Sequence, residues 1–211
     1  MDISLFRPVG LHELALMWDM RMRGFPPRLA HQPIFYPILT LDYAGQIARD
    51  WNTTDEKSGF AGYVSAFSVD GNYLSKFQQR KVGSSLHIEF WIPAEDVDSF
   101  NTAIRGQISV QSGYFGPQFI GYISNSLEGE KKDAVAQLLA LLDVHDKAKT
   151  NPIYKISLDP KSVFLNWLFW AQHDFSIHGL DCAQRDVLLG ALRRHWESTQ
   201  IEIRLPQPIN P

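Results

Sequence analysis

KVGSSLHIEFWIPAEDVDSFN, residues 81–101, decides the fold class. Within LHIEFWI, Leu86, Ile88, Phe90 and Ile92 alternate with His87, Glu89 and Trp91, the period-two pattern of a strand with one apolar face. Pro93 ends that strand, and AEDVDSFNTAI follows as a short helix that brings Val97, Phe100, Asn101 and Ile104 together. Strand followed by helix here, with more strands on both sides, predicts an α+β fold built on a twisted mixed or antiparallel sheet.

On the N-terminal side, ISLFRPV reads as an extended segment and LHELALMWDMRM as a helix stopped by Gly24. FPPRLAHQP cannot continue a helix, because adjacent prolines remove donors and restrict their predecessors. IFYPIL reads as a short strand that Pro37 confines to an edge or an interruption. Thr40 or Asp42 caps DYAGQIARDW, whose Tyr43, Ile47 and Trp51 form the expected buried stripe. FAGYVSAFSV returns to strand, with the more apolar of its two faces toward the core. QISVQSGYF and QFIGYI read as two strands joined by a tight connection at YFGPQ.

Composition shifts near residue 124, which divides the chain into a sheet domain, 1–124, and a helix-rich part, 125–211, expected to pack on it. SNSLEGEKKD reads as a polar hinge, DAVAQLLALLDVHDKA as a helix and IYKISL as a short strand. Asp159 caps a helix opening with Pro160 that is expected to be buried on more than one side. Asp181 caps CAQRDVLLGALRRHW, with Val187, Leu188, Ala191, Leu192 and Trp196 as its stripe, and QIEIRL alternates like a final strand.

The 211 residues are 45% hydrophobic and carry a formal net charge of −3, enough apolar sequence for a real core and no basic excess for general nucleic-acid binding. No apolar run approaches a bilayer span, MDISLFRPVG lacks the features of a signal peptide, and the single Cys182 excludes an internal disulfide, so the expectation is a cytoplasmic protein without membrane contact. The scattered histidines give no metal-ligand spacing, LHELAL is not an HExxH site, and no GxSxG elbow occurs. No metal is expected.

His87 and Glu89 share one strand face about 7 Å apart, since each residue rises about 3.3 Å. That spacing is long for direct proton exchange and suits two groups touching different parts of one ligand. Glu89 there accepts from a sugar hydroxyl or stabilises developing positive charge, and Trp91 stacks on a planar ring. The plain alternative is a solvated strand face that needs no ligand. VGSS is a turn or a nest of backbone amides, and FPPR either holds Arg28 toward an anion or makes a structural corner.

The order FRPVGLHELAL, FPPRLAHQPIFYPIL, YAGQIARDWNT and VGSSLHIEFWIPAEDVDSFN resembles a family of uncharacterised bacterial proteins, some labelled ADP-ribosylation/crystallin J1-like, over about residues 5–115. The arrangement is similar to an ADP-ribosyltransferase-like fold. That resemblance implies NAD as ligand, Glu89 as catalytic glutamate and His87 as a residue that orients substrate or binds the ribose. It further implies Arg7 at the phosphate or ribose and Ser84 or Ser85 as further cofactor contacts, beside Trp91, whose strand-face position already makes it a stacking contact for the cofactor. The acceptor is then a protein substrate or another nucleophile. A noncatalytic interaction module, toxin-neutralising or regulatory, is the second reading, with aromatic hot spots such as Trp167 or Trp170 and a protein partner or homodimer.

Overall fold

The computed structural model describes residues 1–84, 86–123, 133–148, 159–199 and 201–207, and residues 143–148 by backbone alone. The chain divides into two compact units, Met1–Pro117 and Gln118–Pro211.

The first unit is an antiparallel sheet flanked by helices. Its strands are β1 (Asp2–Gly10), β2 (Ile34–Phe35), β3 (Ala61–Asp70), β4 (Gln78–Lys81), β5 (Ile88–Pro93) and β6 (Ile104–Phe115). One set runs β1-β3-β6 and the other β2-β5-β4. Ile38 joins them: it exchanges two 2.8 Å backbone hydrogen bonds with Phe6 and bridges Glu89 on its other side. Pro37 therefore interrupts an interior segment rather than marking an edge. It lacks an amide hydrogen but its carbonyl still accepts from the Phe90 amide at 2.9 Å.

Helix α1 (Leu11–Asp19) ends well before Gly24. Arg21 and Met22 turn left-handed at φ 57° and 53°, while the Met22 amide bonds the Met17 carbonyl and the Arg21 amide the Trp18 carbonyl, both at 2.8 Å. This is a Schellman ending carried by arginine instead of glycine. Gly24 has another role: a Cβ there would lie 2.8 Å from Asn101, whose side chain accepts from the Phe25 amide at 2.8 Å and donates to its carbonyl at 2.9 Å. Asn101 belongs to α4 (Val97–Ala103) and holds the FPPR loop like a short strand partner.

The register separates two sheet faces. Leu5, Arg7 and Val9 oppose Phe67, Ser65 and Tyr63 on one face, where Phe25, Phe35, Phe67 and Phe100 pack at centroid distances of 4.9–6.0 Å. Each buried aromatic there contributes about 1.5–3 kcal/mol of transfer free energy. The other face carries Phe6, Ile38 and Val64 under α2 (Leu41–Asp50). β3 is buried on both faces at its start rather than on one alone. The α2 stripe also departs from expectation: Ala44, Gly45 and Ala48 meet the sheet, Tyr43 and Ile47 flank them, and Trp51 is 63% exposed. Small residues seat this helix because Gly62 lets it approach closely. The short α3 (Gly71–Leu74), capped by Asp70, leads into the polar β4, which no hydrophobic pattern announced.

The second unit is helix-rich, with α5 (Ala134–Ala148), α6 (Pro160–Gln172) and α7 (Cys182–Ser198). Asp159 caps α6 at the Ser162 amide, and every residue from Ser162 to Trp170 is buried. Asp181 and Gln184 form a reciprocal capping box on α7. Its buried stripe is Leu188, Leu189, Leu192 and Trp196, with Val187 turned outward. Residues 118–123 and 201–207 are irregular, so neither the hairpin at YFGPQ nor a closing strand forms there. SNSLEGEKKD and IYKISL lie outside the described residues, apart from Asp133. No helix among the described residues is long and apolar enough to cross a membrane.

Candidate functional site

Of the residues singled out in the sequence, the structure gathers His87, Glu89 and Trp91 and leaves Arg7 elsewhere. Because Phe6 bridges Ile38 and Ile38 bridges Glu89, Glu89 shares the α2 face with Phe6. Arg7, one residue on, points to the opposite face, where its guanidinium lies 4.5 Å over the Phe35 ring. There it grips Glu13 with Nε at 3.1 Å and Nη2 at 3.3 Å, and Nη1 donates to the Tyr36 carbonyl at 3.4 Å. Arg7 and Glu89 thus share no hollow; sheet and packed aromatic core separate them.

Glu89 is half-buried and fixed at both oxygens. Tyr43 Oη donates to Oε1 at 3.0 Å and Trp91 Nε1 donates to Oε2 at 3.1 Å. The Tyr43 donor comes from the first turns of α2, which the Thr40 hydroxyl ties to the Leu86 carbonyl at 2.8 Å. Burial first, and the Glu89 carboxylate second, push the Tyr43 phenol up to about 12. His87 lies just before β5 and stacks on Tyr43, centroids 4.0 Å apart and planes within 12°. Leu86, expected inward, is exposed because β5 begins only at Ile88.

Trp91 extends the group toward β4. Arg80, opposite Glu89 in the register, stacks on the indole at 3.9 Å, and Tyr36 meets it edge-on at 5.5 Å. The indole also lines a cleft of about 470 Å³ with Tyr73, Lys76, Gln78, Asp96 and Ser99. Lys76 rests over the Tyr73 ring at 4.8 Å. Arg80, a cation on an aromatic platform, therefore stands opposite a carboxylate whose orientation is set by two donors, and Lys76 stands on a second platform in the adjoining cleft. A carboxylate has room for further donors, so Glu89 can accept from a ligand hydroxyl without losing its supports.

Ser84 sits in the turn closed by the Val82 amide on the His87 carbonyl at 2.8 Å, and its hydroxyl accepts from the Leu86 amide at 3.3 Å. Ser85 lies outside the described residues. Among the described residues no group of three or more His, Cys, Asp or Glu is placed to hold a metal ion. Trp167 and Trp170 are core residues of the second unit, at 2% and 1% exposure, and offer no surface to a partner. Sequence reading missed Tyr43, Arg80, Tyr36 and Lys76 as members of the site. The sequence pattern puts Tyr43 in a buried stripe; its place three residues after Thr40, which sits at the N-cap position but makes no side-chain capping bond, is the only local signal.

Comparison with protein-family models, with curated proteins and with solved structures returns no match.

Proposed function

We propose that the unit Met1–Pro117 binds NAD along the Tyr43–Glu89–Trp91 face and acts as an ADP-ribosyltransferase-like protein. The observation that carries the reading is the threefold role of Trp91. It donates to Glu89, supports the Arg80 guanidinium and walls the adjoining cleft. The cleft volume falls within the range of ordinary small-molecule sites, about 300–1,000 Å³.

In this reading Glu89 accepts a hydrogen bond from a ribose hydroxyl and stabilises the positive charge that grows at the anomeric carbon. Tyr43 and Trp91 hold the carboxylate in place, and His87 lies beside the same sugar. Arg80 and Lys76 take the phosphate contacts in place of Arg7, which the resemblance put at the phosphate or ribose. The glycosidic C–N bond breaks with its electron pair leaving on nicotinamide, and an acceptor nucleophile bonds to that carbon and loses a proton. The acceptor is water or a protein side chain.

Single-turnover assay of nicotinamide release tests this. Glu89→Gln is expected to lower release by roughly 100-fold or more while NAD affinity changes little, the pattern of an interaction made only in the transition state. NAD binding without any release would make the domain a noncatalytic binding module. No NAD binding at all would overturn the reading.

A further inference from the structure

The opposite sheet face carries a second charged group that the NAD reading does not use. Arg28, at the end of FPPR, has a side chain only 10% exposed, yet among the described residues its one ion pair is Nη1 to Glu13 at 3.5 Å. Its Nε is buried with no hydrogen-bond partner among the described residues. Glu13 is already committed to the two-pronged grip of Arg7. Two guanidiniums therefore share one carboxylate, leaving a formal surplus of one positive charge among largely buried groups.

A guanidinium does not escape this by losing its proton, since arginine stays charged in proteins. Burial first, and the neighbouring Arg7 charge second, lower the Arg28 pKa, with Glu13 opposing them. An isolated buried charge is unfavourable unless a counter-charge and hydrogen bonds meet it. With Nη1 turned to Glu13, the unpaired donor of Arg28 is the buried Nε, which lies on the Nε–Nη2 edge, the pair of parallel donors that matches two oxygens of one anion.

We propose that Arg28, backed by the Arg7–Glu13 pair, is a binding site for a single oxyanion group, a carboxylate or a phosphate. Glu13 stays on Nη1 and backs the guanidinium from the other side. The site lies on the sheet face away from Glu89.

Thermal unfolding of the full chain in inorganic phosphate, in acetate and in chloride at equal ionic strength provides the test. At least one of phosphate and acetate is expected to stabilise the protein beyond chloride, and which one does so identifies the anion. Arg28→Met is expected to weaken that anion's apparent affinity roughly tenfold or more. Arg28→Lys, which keeps the charge without the fork, should fall between, and covers the case in which the methionine variant fails to fold. Arg80→Ala, on the other face, should leave the anion response intact. Equal stabilisation by all three salts, or a specific response that survives in Arg28→Lys undiminished, would overturn the proposal.

Discussion

Tyr43 donates its phenolic hydrogen to Glu89 across 3.0 Å, tying the start of α2 to the middle of β5. Tyr43 is pushed up to about 12 in the folded protein, against 10.0 for an unperturbed phenol. Between those values the unfolded chain sheds a proton that the folded one keeps. The contribution is therefore complete below pH 10 and is lost as pH rises through 12. Tyr43→Phe should remove a late phenolate transition from the ultraviolet titration and flatten the fall of urea stability over that window. Buried Tyr63 is also pushed up, by burial, and is common to both proteins. At neutral pH the substitution should cost about 1 kcal/mol.

Gly62 sets the seat of α2. A Cβ there would lie 2.0 Å from the Ala48 carbonyl oxygen, a backbone atom that cannot swing aside. Gly62→Ala should cost about 2–3 kcal/mol, as overpacking does, and should also disturb the Tyr43–Glu89 contact. Gly106→Ala is the useful control. It meets nothing within 4 Å but keeps a φ of +74°, so only backbone strain of about 1 kcal/mol is expected. Urea midpoints that place the two glycines level would contradict the packing assigned to Gly62.

Asn166 anchors the second unit. It is fully buried; its Oδ1 accepts from the Tyr122 amide at 2.8 Å, and its Nδ2 donates to the Tyr122 carbonyl and Gln137 Oε1 at 2.9 Å each. Asn166→Ala strands these groups away from water and should cost about 2–4 kcal/mol. Amide exchange of Tyr122 should accelerate in step. A loss under 0.5 kcal/mol, with exchange unchanged, would remove Asn166 from that role.

The α+β class, most strand and helix positions in the first unit, and the Asp159 and Asp181 caps were all legible because they rest on local period and local capping chemistry. The ends were less so. α1 stops at left-handed Arg21 and Met22, where no glycine advertises the turn. β4 is exposed on both faces and so carries no hydrophobic alternation. Half of the site was readable: the period-two row gives His87, Glu89 and Trp91 in one direction. Tyr43 and Arg80 join that row only through strand order and helix seating, which arise from contacts far apart in sequence. Arg7 failed to join for the same reason. One residue of register decides its face, and that register is fixed by pairing with Ser65 and by the bridge from Phe6 to Ile38.

In the proposed function NAD meets the protein at Trp91, where the indole Nε1–H that points at Glu89 reports on binding directly. In a nitrogen-15 NMR titration with NAD, that indole signal, assigned by its loss in Trp91→Phe, should move saturably and more than any other tryptophan indole. The shift should weaken in Arg80→Ala and persist in Arg28→Lys. An indole signal that stays still at saturating NAD, or a response confined to residues around Arg7, would contradict the account.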